Sequence, residues 1–166
     1  MRSILHNVLI FVTLAFVSVL LGSGCSAGRT AKPNAISPDM AARLGLEEHR
    51  GKVVYIDFWA SWCVPCIESF PWMNDMATKY DELVIIAVNV DRERDKADAF
   101  LARQPAEFVV VFDPDGALAG EFKLDGMPSS FLLDRNGTVR SAHVGFRLSD
   151  APGLESQIQN LIGERP

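Results

Sequence analysis

Val53-Val54-Tyr55-Ile56-Asp57-Phe58-Trp59-Ala60-Ser61-Trp62-Cys63-Val64-Pro65-Cys66 is the stretch on which the fold turns. Its first six residues form a near-continuous apolar run, as in a strand covered on both faces. A helix opens near Pro65, because proline's missing N–H would have no intrahelical partner in a first turn and its fixed φ already suits a helix. Cys63 and Cys66 therefore stand at a strand-to-helix junction. A thiolate, not a thiol, attacks disulfides, and a helix start offers unpaired N–H groups and the positive dipole end that stabilise negative sulfur. Cys63 is the candidate nucleophile. Cys66, one turn into the helix, is placed to attack a mixed disulfide formed on Cys63. Half of a zinc site is the alternative, but zinc needs two further ligands at suitable spacing. The remaining Cys and His residues are Cys25, His6, His49 and His143, and no two of them have that spacing. No metal or cofactor is called for.

Downstream, Ile67, Phe70, Met73, Met76, Ala77 and Tyr80 recur at helical spacing, which predicts a helix over 65–80. Pro71 lies inside it and should kink it near Ile67, whose carbonyl loses its donor. Residues 83–90 form a second apolar strand. The charge run Asp91-Arg92-Glu93-Arg94-Asp95-Lys96 then reads as the solvated first turn of a helix reaching Ala102. Residues 108–112 give a third strand, and Asp113-Pro114-Asp115-Gly116 a turn into a short helix ending near Phe122. Strands at 129–133 and 138–144 meet across Asp134-Arg135-Asn136-Gly137, whose Asn-Gly pair is a hairpin signal. An amphipathic helix over 151–162 carries Leu154, Ile158, Leu161 and Ile162. Near the start, Pro38, Met40, Leu44 and Leu46 suggest a short helix or turn packed on the sheet. Parallel neighbours need crossovers while the hairpin is antiparallel, so the expected class is α/β, a mixed central sheet flanked by helices.

The chain of 166 residues fits one globular domain behind a targeting segment. Residues 1–24 hold a single charged side chain, Arg2, and an apolar run from Val8 to Leu21 that closes on small residues, the pattern of an export signal. The rest carries 15 basic against 21 acidic residues, a net of −6, so no nucleic-acid partner is expected. Leu21-Gly22-Ser23-Gly24-Cys25 resembles a bacterial lipobox, which implies acylation of Cys25 and a lipid anchor in a membrane. Ordinary cleavage near Gly24, or an uncleaved anchor, stays open. The expected organisation is a signal peptide over 1–24, a lipidated Cys and flexible tether over 25–36, and a folded domain over 37–166. Asp57 is a carboxylate within a strand that otherwise reads as buried, and burial without a partner should make it hold its proton to unusually high pH.

With Phe70-Pro71 and Gly126-Met127-Pro128-Ser129-Ser130-Phe131 added to the opening stretch, residues 37–162 resemble the TlpA/ResA-type thioredoxin-like family. The helix and strand of residues 92–112 match that family's central insert. The resemblance implies a thioredoxin-like fold and thiol:disulfide exchange through a Cys63–Cys66 redox-active disulfide. It also implies a cis bond before Pro128, a substrate-facing backbone at Met127, and proton transfer between Asp57 and Cys66. Ser69 stands where relatives often have a Glu, which leaves Asp57 as the better proton carrier. Trp62 is expected to cover the dithiol and meet substrate, Trp59 to pack inside, and Gly145 to line the substrate groove. The implied partners are disulfide-containing proteins, apocytochrome c among them, and a membrane electron donor of the thiol-reducing type, with the chain acting as a monomer. Val64-Pro65 puts no cation between the sulfurs, which favours a reductant over an oxidant or isomerase of secreted proteins. A copper metallochaperone would want C-x-x-x-C and a later His ligand, for which His143 is a poor stand-in. A peroxidase would want Thr and Arg around a single reactive Cys.

Overall fold

A computed structural model describes residues 35–164. The export, lipidation and tether readings at residues 1–34, Cys25 included, lie outside them. Within the described residues the order is α1 (Pro38–Arg43), a 3-10 turn (Leu46–His49), β1 (Val53–Trp59), α2 (Val64–Lys79), β2 (Leu83–Asn89), α3 (Arg94–Leu101), β3 (Val109–Phe112), α4 (Ala117–Phe122), β4 (Ser129–Leu133), β5 (Val139–Val144) and α5 (Ala151–Gly163).

The five strands form one mixed sheet in the order β3-β2-β1-β4-β5. β1, β2 and β3 run parallel, and β4 and β5 antiparallel to their neighbours. All seven residues of β1 are buried, which is why the run reads as continuously apolar: both faces are covered. Alternation still sorts its side chains. Val53, Tyr55 and Trp59 join one core cluster with α2, α3 and α5, whereas Val54, Ile56 and Phe58 join a second with α1 and α4. Asp57 takes its place in the first set, on the face that α2 covers.

The hairpin turn forms as the Asn-Gly signal requires. Gly137 takes φ +77°, and the Asp134 carboxylate accepts the Asn136 and Thr138 N–H groups at 2.9 and 3.0 Å. A register shift at Leu132/Leu133 follows. Ala35 pairs with Thr138 beside this hairpin.

Two local features differ from the sequence reading. α2 starts at Val64, so Pro65 occupies its second position; proline is tolerated there for the same reason, since that N–H also lacks an intrahelical acceptor. The Ile67 carbonyl freed by Pro71 is not left empty, because the Gln104 side chain donates to it at 3.4 Å. No helix among the described residues is long and apolar enough to cross a membrane.

Candidate active site

β1 ends at Trp59, and the turn that follows is held by main-chain bonds: the Val90 N–H donates to the Trp59 carbonyl at 3.0 Å and the Cys63 N–H to Ala60 at 3.1 Å. Cys63 caps α2 without a side-chain cap bond, and its carbonyl accepts the Ile67 N–H at 3.1 Å. Its sulfur thus sits where the helix presents unpaired N–H groups. Cys66 lies one turn in, and the two are joined by a disulfide with Cα atoms 5.2 Å apart. Cys63 keeps 5% of its surface and Cys66 none, so an incoming group meets Cys63. Behind them Ser69 is buried and its hydroxyl donates to the Cys66 carbonyl at 2.8 Å.

Asp57 is 2% exposed, and its Oδ2 has no hydrogen-bond partner. Burial alone pushes its carboxyl well above the usual range. Tyr55, two residues earlier on the same face, has its phenol raised as well, by burial first and then by the Asp57 charge, against a side-chain hydrogen bond with Ser130 that works the other way. No basic side chain enters either account.

The Met127–Pro128 peptide is cis. The Ser129 hydroxyl donates to the Gly126 carbonyl at 2.7 Å, and the Gly145 N–H to the Pro128 carbonyl at 2.8 Å, so the loop is tied at both ends. Gly145 holds φ +82°, and a Cβ on Gly126 would meet Val144 at 3.2 Å. Met127 is partly buried against the cluster that contains both cysteines. Trp62, next to Cys63, is 66% exposed. With Val64 and Leu148 it leaves large apolar side chains in water near this end of the sheet. Trp59 is fully buried between Phe70 and Phe100, at centroid distances of 4.8 and 5.0 Å.

Asp91 corrects the charge-run reading. Arg92 to Lys96 are exposed as expected, but Asp91 is buried. It accepts the Ser61 N–H at 2.9 Å, the Ser61 hydroxyl at 3.1 Å and the Asn89 amide at 2.8 Å, and its own N–H donates to Asn89 Oδ1 at 3.1 Å. β2 thereby clamps the turn that leads into Cys63. The signal was present in the sequence: Asn89 and Asp91 are polar residues closing an apolar strand at the edge where Ser61 must emerge. Asp91→Ala should lower stability by about 2–3 kcal/mol, since it strands the buried Asn89 amide and the part-buried Ser61 donors. A urea midpoint at unchanged slope measures this, and a solvated charge would shift stability by no more than about 0.5 kcal/mol.

A cavity of about 450 Å³ lies at the far end of β1 and away from the sulfurs, lined by Ile36, Leu46, Arg50, Lys52 and Arg135 among others. Its cations are engaged: Arg50 with Glu47, Lys52 with the Asp81 carbonyl, and Arg135 with Glu82.

The architecture has known counterparts. A Redoxin family model matches residues 27–158. The chain is 30% identical over 132 residues to the thiol-disulfide oxidoreductase ResA of Bacillus cereus, covering 78% of this chain and 75% of that one. It is 28% identical over 153 residues to ResA of Geobacillus thermodenitrificans, covering 87% and 88%. A Chlorobium tepidum structure described as a thiol:disulfide interchange protein DsbE superposes with a TM-score of 0.70 at 52% identity, over 71% of this chain and 85% of that one. StoA from Bacillus subtilis gives 0.57 at 26% identity, over 64% and 82%. A thioredoxin-like sheet, a C-x-x-C disulfide at a helix start and these relatives together place the chain in the Redoxin family, as a TlpA/ResA-type thiol:disulfide oxidoreductase.

Proposed function

We propose that the chain is an exported, membrane-tethered reductant of protein disulfides, acting as a monomer. Cys63 thiolate attacks a substrate disulfide, one substrate sulfur leaves as thiolate, and a mixed disulfide forms. Cys66 then gives its proton to ionised Asp57 and attacks the Cys63 sulfur, which releases the second substrate thiolate and leaves the Cys63–Cys66 disulfide. A thiol-reducing donor in the membrane returns the two electrons. The observation that carries the reading is the disulfide at the start of α2, on the sheet face where Asp57 lies buried with a partnerless oxygen. Met127 and Pro128 offer an extended stretch of substrate a backbone to pair with, and exposed Trp62 adds apolar surface for it. Secreted thiol proteins such as apocytochrome c fit as substrates by family resemblance, and the lipid on Cys25 would hold the domain at the membrane.

Direction is the testable part. Val64-Pro65 supplies no cation to favour the thiolate, so a glutathione titration of the described domain should give a potential nearer thioredoxin's value of about −270 mV than DsbA's of about −120 mV. A value near the latter would make the chain an oxidant. Metabolic labelling with a fatty acid, lost in Cys25→Ser, tests the tether separately.

A further inference from the structure

Asp57 can take the Cys66 proton only if it has first lost its own, yet no basic side chain touches it and its face of the sheet is sealed by helices. The strand register supplies a route. Asp57 on β1 is the direct partner of Ser130 on β4, and Ser130 is the direct partner of His143 on β5. Directly paired residues share a face and stand about 5 Å apart, so the three side chains form one row from the centre of the sheet to its edge. Ser130 is buried and, as the direct partner of Asp57, turns its side chain to the Asp57 face. His143 reaches the same side, where the Asp150 carboxylate at the start of α5 stands 3.7 Å from its Nε2. That nitrogen is buried without a hydrogen-bond partner, while 37% of the side chain is open to solvent.

The other groups facing this row cannot do the same work. Ala87 on β2, the inward residues Phe70, Met73 and Met76 of α2, and Leu154 and Ile158 of α5 are apolar. The remaining titratable groups are the Tyr55 phenol, the cysteines themselves and Asp150. A hydroxyl both donates and accepts, and imidazole is the side chain that most readily takes up and releases protons between pH 5 and 8.

We propose that His143, acting through the Ser130 hydroxyl, is the proton exit of Asp57. The inference rests on the reading of Asp57 as the proton carrier. Ser130 takes the Asp57 proton on its oxygen as it passes its own hydrogen to the His143 imidazole, and His143 releases a proton to solvent or buffer; no bond to sulfur changes and no electron moves. His143 touches no reacting sulfur and is therefore a positioning residue.

The test follows single-turnover reduction of a model disulfide from pH 5 to 9, at low buffer concentration, with and without added imidazole at constant ionic strength. His143→Gln should slow resolution about tenfold near pH 7, and imidazole should restore most of it. Ser130→Ala, which breaks the row inside the protein, should be slowed and not restored. Asp57→Asn should be slow in either buffer. Wild-type rates in His143→Gln, or a loss that imidazole leaves untouched, overturn the exit through β5 while the Asp57 reading stands. Wild-type rates in Asp57→Asn overturn the carrier reading, and this inference with it. If His143→Gln does not fold, Ser130→Ala alone decides: full activity at pH 7 overturns the row.

Discussion

Cys63→Ala should abolish disulfide reduction, a loss of roughly a thousandfold or more, whereas Cys66→Ala should bind substrate proteins covalently and hold them. The two sulfurs differ in what reaches them. Cys63 caps the helix and keeps the only solvent-accessible surface of the pair, so intermolecular attack runs through it. Cys66 is sealed and can react only with what is already on Cys63, one helical turn away. That second attack is intramolecular and pre-oriented, which makes the mixed disulfide short-lived in the native enzyme and long-lived once Cys66 is gone. Non-reducing electrophoresis of Cys66→Ala, expressed with its own N-terminus, reads the adducts and identifies the substrates. Adducts on Cys66 in a Cys63→Ala protein, or reductase activity surviving there, would reverse the roles.

Asp57→Asn should move stability and rate in opposite directions. The unfolded carboxyl titrates near 3.8, and the buried native one well above it. Below the unfolded value both states hold the proton and the wild type carries no penalty relative to Asn. As pH rises past it, the unfolded chain releases a proton that the native state keeps, so wild-type stability falls by up to about 1.4 kcal/mol per pH unit until the native carboxyl itself ionises. Asn has no such slope. Denaturant midpoints of the oxidised proteins should therefore run together near pH 3 and separate towards neutrality, with Asn the more stable. The same variant should resolve mixed disulfides about a hundredfold more slowly near pH 7, and the deficit should shrink at alkaline pH as Cys66 ionises unaided. Parallel pH–stability curves would mean that Asp57 is solvated or paired; an unchanged rate would remove it from the mechanism.

A buried acid that weakens the fold and sharpens the chemistry is what a functional position looks like from the stability side. Asp91 is the contrast. It is equally hidden, but its carboxylate meets three donors, and the result is a fixed turn in front of Cys63. A buried oxygen without a partner is what the proposed proton-transfer role of Asp57 requires, whereas a carboxylate bonded to three donors makes Asp91 a positioning group.

Much of this was legible along the chain because it depends on local periodicity and turn chemistry. The continuous apolar run of β1, the 3.6-residue spacing of α2, the Asn-Gly hairpin and the C-x-x-C at a helix start are short-range patterns, and each formed within a few residues of its expected bounds. A carboxylate at residue 57 of a buried strand was likewise visible as an anomaly. What the chain by itself did not determine were relations across strands, which depend on register. Asp91 looked like one more solvated charge until β2 lay beside β1 and brought it to Ser61. Trp62 adjoins Cys63 in sequence, but only the direction of the turn decides how far it is exposed. The row Asp57–Ser130–His143 joins residues 73 and 13 positions apart in sequence, and pairing geometry alone makes them neighbours. Sequence determined which groups could do redox chemistry, because reactivity is a property of residue type and local backbone. Tertiary structure decided which groups surround them, because a sheet brings distant strands within 5 Å and one residue of slip would turn each side chain to the other face.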